Sequence, residues 1–403
     1  MSGERDGASA GWPPGSGSRN PALDGVRGVA ILLVILFHHT LMAQQTPFDR
    51  VYVGLARLGW SGVDLFFVLS GFLITGLLYD SKGGAHYFRN FYIRRTLRIF
   101  PLYYAFLLFT LRVAPWLWPD TELAAMARDA MAGRSEAWYW LYASNVLFAL
   151  DTNFGHPNLA VTWSLAIEEQ FYLIWPLVVA LAGRRTLLWT CGGLMVAALG
   201  TRFALVAGGA HWIVPYVLPF CRIDALAAGA LVALAMRRAA GGPPAAPPWL
   251  LTAARVVAPA AAVAVLGIWY LEDPFNAGDW TEPVMQAAGY TVLALGFGAV
   301  VALAAGAPPG AVLPQVFSAP VLRMFGRYSY ALYLFHLPIR RFIRDEYFPV
   351  ADFPTWLGSP LPGQLLFYVV ATAPALLLAW ASWHLYEKQC LKLTRFFPYG
   401  RRP

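Results

Sequence analysis

Long apolar runs separated by short polar segments dominate the pattern of residues along this chain. A membrane-spanning helix needs roughly 20 mostly apolar residues. Ten runs come close to that length: 23–43, 59–79, 99–118, 161–182, 186–207, 213–236, 249–271, 284–305, 328–346 and 364–387. Segments rich in Pro and Gly separate neighbouring runs at 240–249 and 306–314. The pattern predicts an all-α fold, a polytopic transmembrane helix bundle of about ten spans.

The composition points to the same class. The 403 residues are 58% hydrophobic and 13% charged, whereas soluble domains are typically about 45–50% apolar and about 25% charged. Residues 1–20 are rich in Gly, Ser and Pro. We therefore expect a disordered N-terminal tail over 1–20, a transmembrane domain over 21–390 and a short basic cytoplasmic tail over 391–403.

Basic clusters predict the orientation of the bundle. Arginines and lysines follow the second, fourth, sixth, eighth and last runs, while the other turns are mostly acidic or neutral. By the positive-inside rule, the basic turns and both termini lie in the cytoplasm. Arg340, Arg341 and Arg344 break this pattern, because they fall near the outer end of the ninth run. Either that segment is re-entrant or these arginines have an external role.

The net charge of +8 comes from the same basic clusters. Because the arginines lie in short clusters between apolar runs, they are typical of membrane topology, and we expect no nucleic acid partner. The three cysteines, Cys191, Cys221 and Cys390, lack the spacing of a metal site or a disulfide framework. We therefore expect no metal.

The first run carries two ionisable residues, Arg27 and His38. Eleven positions at 100° each amount to about three full turns, so both side chains share one helix face, about 16 Å apart along the axis. Arg27 could be an interfacial anchor whose charge reaches the headgroups, and His38 with His39 could form a polar contact between helices. Histidine can also exchange a proton near neutral pH, as a general base does. The choice between His38 and His39 stays open.

Carboxylates recur in later runs. Asp64 lies one turn inside the second run and needs a partner, for which an arginine or histidine of the first run is the nearest choice. Its role is either a structural ion pair or a catalytic one. In the fourth run Ser164, Glu168 and Tyr172 recur every four residues and share one face, while Glu169 points elsewhere.

An arginine cluster, Arg94, Arg95 and Arg98, precedes the third run. Clustered arginines at the cytoplasmic membrane surface suit anionic lipid. They equally suit a ligand with phosphate groups, which guanidinium binds through two hydrogen bonds. Further polar residues inside spans are the pair Arg222 and Asp224 in the sixth run. Ionisable groups at membrane depth are functional candidates by default.

His336 adds an ionisable group to the ninth run.

Seven blocks of the chain, from Leu23 to Glu387, together resemble the acyltransferase-3 family of integral membrane O-acyltransferases. In chain order they are LDGVRGVAILLVILFHH, GVDLFFVLSGFLIT, FYIRRTLRIFPLYY, TWSLAIEEQFYLIWP, RIDALAAG, GRYSYALYLFHLPI and YEK. Each block alone is a weak signal, but seven in the family's order form a specific one.

The resemblance implies transfer of an acyl group, usually acetyl, from acyl-CoA to a hydroxyl of a carbohydrate or glycosylated acceptor, in the bacterial cytoplasmic (inner) membrane. It implies His38 as the catalytic base, Arg27 as support for the acyl-CoA site, and the Arg94–Arg98 cluster as the site of the CoA phosphates. Glu168 matches the family's carboxylate, and Glu387 of the closing block is expected to be structural. Acyl-CoA, the acceptor and membrane lipids are the expected partners, and a homo-oligomer is left open.

On this basis we expect Asp64 or Glu168 to orient the imidazole of His38, as the acid does in hydrolase triads. The remaining polar residues of the spans are predicted to bind substrate: Ser164, Tyr172, Arg222, Asp224 and His336. No serine or cysteine nucleophile stands out, so direct transfer is favoured over a covalent acyl-enzyme.

Some family members carry an esterase-like domain after the last span, which this sequence lacks up to Pro403. We therefore expect the membrane core to perform the transfer alone or to pass the acyl group to a separate protein. A transporter or flippase for glycans or lipids would also explain charged residues inside spans, although the chain shows no internal repeat. A membrane glycosyltransferase would need an acidic motif in the first external loop, where residues 44–58 contain only Asp49.

Overall fold

The computed structural model describes residues 20–120, 125, 134–237, 245–272 and 281–399. All but Asn20 of the predicted N-terminal tail lies outside these residues, as do the last four residues of the chain. The longer helices are α1 Pro21–His39, α2 Pro47–Arg57, α3 Gly62–Asp80, α4 Tyr87–Leu108, α5 Thr162–Leu181, α6 Arg184–Ala207, α7 Pro219–Ala235, α8 Pro248–Glu272, α9 Tyr290–Gly306, α10 Pro320–Glu346 and α11 Leu361–Ser382.

Shorter helical segments join or extend these helices. The α-helical ones are Ala114–Leu117, Ala137–Trp140, Ser144–Asp151, Ile213–Val217, Val312–Phe317 and Lys388–Lys392. Wider or tighter turns cover Leu58–Ser61, Phe109–Val113, Met285–Gly289, Val350–Asp352, Trp383–Glu387 and Leu393–Phe396. The described residues contain no β-strand, so the predicted all-α fold is confirmed.

Nine stretches of the described residues are long and apolar enough to cross a membrane. They match nine of the ten predicted spans. The remaining prediction, 328–346, lies inside α10, which is 27 residues long. Arginines near both of its ends keep α10 from being as apolar as the others, although its length is sufficient to cross a bilayer. A multi-pass helix bundle is therefore confirmed, while the cytoplasmic position of the termini stays a prediction.

Two glycine contacts bring the central helices together. A Cβ on Gly28 of α1 would lie 1.9 Å from the carbonyl oxygen of Leu322 in α10, and one on Gly326 would lie 1.8 Å from that of Asp24. The α1 and α10 backbones therefore touch, as small residues permit in membrane bundles. This contact places the far end of α1, with its two histidines, beside the middle of α10.

A second glycine contact joins α3 to α7. A Cβ on Gly71 would lie 1.9 Å from the carbonyl oxygen of Leu226, and one on Gly229 would lie 1.9 Å from that of Val68. Helix α3 is the innermost of the bundle: 89% of its most apolar window is buried, against 17% for α8. Polar side chains beside α3 are therefore shielded from lipid.

The chain after α11 folds back onto α4. Arg94 Nη1 donates to the carbonyl oxygens of Thr394, at 2.8 Å, and Phe397, at 3.2 Å. Its guanidinium also lies 4.7 Å from the ring centre of Tyr399, and Asn90 Nδ2 donates to the carbonyl of Pro398 at 2.6 Å. The predicted basic tail thus packs against α4 as far as it is described.

Candidate active site

Two cavities adjoin each other inside the bundle. The arginine–glutamate cavity, about 90 Å³, has a polar lining of Arg27, Ser70, Arg95, Ser164, Glu168, Tyr172, Ser329, Tyr330 and Tyr333. The histidine cavity, about 490 Å³, is lined among others by His38, Thr40, Arg57, Trp60, Asn153, Trp163, Tyr216, Tyr333, Arg340 and Arg341. Val63 and Tyr333 line both cavities. Ligands in the two cavities would therefore meet at these two side chains.

The arginine–glutamate cavity holds the first predicted residue of α1. Arg27 lines it together with Arg95 and Glu168. The guanidinium of Arg95 lies 5.5 Å from the ring centre of Tyr172 and 5.9 Å from that of Phe91, within cation–π range. Arg27 Nε is buried and has no hydrogen-bond partner among the described residues. A buried donor of this kind is available to a ligand or to water.

One face of α5 supplies three of the lining residues. Ser164, Glu168 and Tyr172 all reach the arginine–glutamate cavity, as their helical spacing predicts. The Tyr172 hydroxyl lies 2.5 Å from Ser70 Oγ, and Ser164 Oγ lies 2.6 Å from the Tyr333 hydroxyl. These hydrogen bonds tie α5 to α3 and α10, so they fix the shape of the cavity.

The arginine cluster of α4 does not act as one unit in this structure. Arg95 lines the arginine–glutamate cavity, while Arg94 binds the carbonyls of the C-terminal segment. Arg98 lies close enough to Glu387 to interact electrostatically with it. Arg94 and Arg95 diverge because neighbours on a helix project about 100° apart, whereas Arg98 shares a face with Arg94 but meets other residues one turn further along.

Hydrogen bonds assign the protonation of the histidines at the end of α1. His336 Nδ1 lies 3.1 Å from the Leu332 carbonyl and 2.8 Å from that of Tyr333. Carbonyl oxygens only accept, so Nδ1 carries the hydrogen and Nε2 of the neutral ring is an acceptor. His38 Nδ1 lies 3.2 Å from this Nε2 and 3.0 Å from the Val34 carbonyl. It therefore also carries a hydrogen, which leaves His38 Nε2 with the lone pair.

The two adjacent histidines occupy different surroundings. His38 lines the histidine cavity, whereas His39 is fully buried. His39 packs against the ring of Phe367 at 6.2 Å, and its Nδ1 lies 3.4 Å from the Thr372 hydroxyl of α11. In this structure only His38 of the pair faces a space that could hold a substrate.

The predicted partners of two residues need correction. Asp64 Oδ1 accepts from Arg222 of α7 at 2.7 Å, not from an arginine or histidine of α1, because the glycine contact places α7 against α3. His38 meets neither Asp64 nor Glu168. Its Nδ1 is engaged by the Val34 carbonyl and by His336. In this structure His336 therefore contacts His38 Nδ1 at the place where we expected a carboxylate.

Arg222 and Asp224 do not pair with each other, since residues two apart on a helix face different ways. Asp224 instead lies 2.9 Å from Arg202 of α6. All four side chains of these two ion pairs are at most 2% exposed, and none lines either cavity. The Arg222 guanidinium lies 5.3 Å from the Tyr216 ring centre. The ion pairs thus back an aromatic wall of the histidine cavity.

Sequence reasoning did not single out Tyr333, which joins the two cavities. Its only signal is its position three residues before His336, on the same face of α10. Arg340, four residues after His336, was noted only as a break in the charge pattern. In the structure its Nη1 donates to the backbone carbonyl of His38, so it also holds the end of α1.

A loop roofs the histidine cavity. Asn153, Phe154, Gly155 and Pro157 line it, and Gly155 has the left-handed φ of +57°, which favours glycine. His156 in this loop is fully buried, and its Nδ1 accepts from the Asn158 amide at 3.1 Å. Burial, followed by the positive charge of Arg341, lowers the pKa of His156 to about 4. The loop is therefore stable while this imidazole is neutral.

Among the described residues, no group of three or more His, Cys, Asp or Glu side chains could hold a metal ion.

Comparison with known proteins identifies a family. A family model described as an acyltransferase domain matches residues 20–384. No solved structure matches the chain significantly.

Three relatives illustrate the similarity. A candidate peptidoglycan O-acetyltransferase of Bacillus subtilis is 29% identical over 95% of this chain and 56% of its own length. The peptidoglycan O-acetyltransferase of Listeria monocytogenes is 30% identical over 79% of this chain and 49% of its own. A candidate O-acetyltransferase of Staphylococcus aureus is 28% identical over 81% and 52%. The chain thus spans about half the length of these curated relatives.

Proposed function

Since the chain belongs to the acyltransferase-3 family, we propose that it is a membrane-embedded O-acyltransferase. It moves an acyl group, acetyl by analogy with the names of its relatives, from acyl-CoA to a hydroxyl of a carbohydrate acceptor. The observation that carries the mechanism is the hydrogen-bond chain from the α10 carbonyls through His336 to His38. It leaves His38 Nε2 as a base in the wall of the larger cavity.

The two cavities divide the reaction between donor and acceptor. The arginine–glutamate cavity would receive the thioester end of acyl-CoA, whose carbonyl Arg27 would orient, while Arg95 would face the remainder of the donor, which carries the phosphates. Under the predicted orientation this cavity lies on the cytoplasmic half, where acyl-CoA is made. The acceptor would enter the histidine cavity, and its hydroxyl would meet the thioester at Val63 and Tyr333.

At this meeting point His38 Nε2 takes the proton of the acceptor hydroxyl as its oxygen attacks the thioester carbon. The carbon–sulfur bond then breaks, CoA leaves as its thiolate, and the proton on His38 returns to that sulfur. His336 stabilises the imidazolium by accepting from His38 Nδ1. Such base catalysis contributes typically about 10²–10⁴-fold.

The rival classes find less support in the structure. Asp49, the acidic residue of the first external loop, accepts from the Thr46 amide at 2.8 Å and from the Ser359 hydroxyl. It caps α2 and is thereby engaged as a structural residue rather than as a glycosyltransferase acid. A transporter needs no base that faces a cavity beside a set of arginines, but only an activity assay separates it from a transferase.

The decisive assay uses purified protein in detergent, where no compartments exist and transport has no meaning. Labelled acetyl-CoA is supplied with amino-sugar oligosaccharides, and ester formation is measured by mass spectrometry. We expect the wild type to form an acetyl ester and His38→Gln to lose about 10²–10⁴-fold in rate.

His39→Gln is the matched control, because it changes the neighbouring histidine outside the cavity. With equal amounts of folded protein, its rate should stay within about tenfold of wild type. If His38→Gln kept the wild-type rate and His39→Gln lost it, the base would be His39. Absence of any ester with wild type would refute the transferase proposal.

A further inference from the structure

The chain leaves the helical conformation directly after the two histidines of α1. Helix α1 ends at His39, and residues 40–45 that follow are not helical. The last carbonyls of a helix have no partner within that helix, and a buried backbone group without a partner costs free energy. His39 and Met42 are both buried. Other helices must therefore supply the hydrogen-bond partners of this segment.

The side chain of Gln364 supplies three of these hydrogen bonds. It lies in the first turn of α11 and is fully buried. Its Oε1 accepts from the amides of Leu41, at 2.7 Å, and Met42, at 2.9 Å, and its Nε2 donates to the carbonyl of His39 at 2.8 Å. These partners determine how the side-chain amide is oriented, because exchanging its oxygen and nitrogen would bring donors against donors.

Two neighbouring contacts act on the same turn of α1. Arg340 of α10 donates to the carbonyl of His38. The hydroxyl of Tyr368, one turn after Gln364 on α11, lies 2.6 Å from Thr40 Oγ1. The end of α1 is thus held by α10 on one side and by α11 on the other.

The His38 ring depends on this backbone for its position. Its Nδ1 lies 3.2 Å from His336 Nε2, and the residue lines the histidine cavity. A rotation of the last turn of α1 would lengthen this hydrogen bond and turn His38 Nε2 away from an acceptor in the cavity. A misplacement of about 1 Å, caused by a change far from the chemistry, can cost about 100-fold in rate.

We propose that Gln364 is a positioning residue for acyl transfer, because its three hydrogen bonds hold the backbone that carries His38. This inference rests on the proposed function, since it concerns the base of that reaction. Gln364 lines neither cavity, so it acts through His38 and not on a substrate. Its side chain determines where the base lies relative to the acceptor hydroxyl.

Gln364→Met tests the proposal, because methionine has a similar length and binds neither amide. With equal amounts of folded protein, we expect kcat to fall about 10–100-fold. The KM for acyl-CoA should stay within about threefold of wild type, because Arg27 of the donor cavity lies about 18 Å from His39 along α1. Steady-state kinetics with labelled acetyl-CoA would measure both constants.

A double variant separates positioning from a general structural role. Residues that act as one unit have non-additive effects on rate. In the His38→Gln background, Gln364→Met should therefore change the residual rate less than about threefold. The proposal is overturned if Gln364→Met lowers the rate by the same factor in both backgrounds, or if it leaves the wild-type rate unchanged.

Two further variants of α11 complete the comparison. Thr372→Val is the matched control, because it removes a contact with the His39 ring, at 3.4 Å, and leaves the backbone hydrogen bonds in place. Its rate should stay within about threefold of wild type. Gln364→Glu keeps the oxygen that accepts from both amides and should lose less rate than Gln364→Met. It also keeps the test available if the methionine variant does not fold, and the proposal is then overturned if the glutamate variant loses no rate.

Hydrogen exchange separates this inference from the transferase proposal. The amides of Leu41 and Met42 should exchange faster in Gln364→Met than in wild type, with or without turnover. If wild type forms no ester, the transferase proposal fails, and unchanged exchange at these amides would also refute the hold of Gln364 on α1. If esters form and exchange rises while kcat stays at the wild-type value, the positioning inference fails alone.

Discussion

The two adjoining cavities differ in size, charge and construction. The arginine–glutamate cavity is narrow, about 90 Å³, and places Arg27 and Arg95 near a carboxylate, Glu168. The histidine cavity is about five times larger, and Arg57, Arg340 and Arg341 line it. A narrow space suits the slender end of a thioester. A wide space suits a bulky acceptor.

The construction of the walls sharpens the contrast. Long helices supply the arginine–glutamate cavity, whose serine and tyrosine hydroxyls hold α3, α5 and α10 together. The histidine cavity has a loop as its roof, and this loop includes a glycine with positive φ. Loops tolerate changes in sequence and shape better than helices do. We infer that the acceptor end of the site can be altered more readily than the donor end.

A large effect is expected from closing the junction between the cavities. Val63 lines both, so Val63→Phe would place a ring where donor and acceptor meet. We expect the transfer rate to fall about 100-fold, since a misplacement of about 1 Å can cost that much. Acyl-CoA and acceptor binding, each measured alone by equilibrium dialysis, should change little.

Val63→Ala is the control, because it widens the junction and should leave transfer within a few fold. A core substitution to a larger side chain typically destabilises the fold by about 1–3 kcal/mol. The Val63→Phe protein must therefore first elute as a single folded species. Transfer at the wild-type rate by a folded Val63→Phe protein would show that the substrates meet elsewhere.

The same comparison shows what sequence reasoning can reach. Composition and length gave the helix bundle, because lipid imposes apolar runs of a fixed size. Helical periodicity gave the common face of Ser164, Glu168 and Tyr172, because a single helix determines it. Both results depend only on residues within the length of a single helix.

Contacts between distant helices were not accessible in this way. His336 lies 298 residues from His38 along the chain, and the backbone contact of α1 and α10 at Gly28 and Gly326 brings them together. The partner of Asp64 depends in the same way on the contact of α3 with α7. Spacing along one helix predicts which residues share a face, but not which helix that face will meet.

A smaller effect should separate neighbouring arginines of α4. Arg95 lines the arginine–glutamate cavity, while Arg94 is held by the C-terminal segment. Hydrogen bonds to charged groups contribute about 1.5–3 kcal/mol, so Arg95→Gln should raise the KM for acyl-CoA about tenfold or more. Steady-state kinetics at saturating acceptor would measure it.

Arg94→Gln serves as the comparison. It should change the KM for acyl-CoA less than about threefold and instead increase hydrogen exchange in residues 393–399, which lose their contact with α4. If Arg94→Gln raises KM as much as Arg95→Gln does, both arginines contact the donor. The C-terminal segment would then have to move when acyl-CoA binds.

A further expected effect concerns the roof of the histidine cavity and needs no substrate. Its folded state keeps His156 neutral, with a pKa near 4, whereas the unfolded chain has the ordinary histidine pKa of about 6.5. Between these values the unfolded chain binds more protons, so the stabilisation is complete above about pH 6.5 and declines as pH falls towards 4. The difference corresponds to at most about 3 kcal/mol.

Hydrogen exchange of residues 152–161, measured from pH 7.5 to 4.5 and corrected for intrinsic rates, would detect this opening. His156→Asn is the control, because asparagine can accept from the Asn158 amide without titrating in this range. The wild-type loop should lose protection as pH falls, and the variant loop should lose much less. Equal losses in both proteins would assign the opening to other groups.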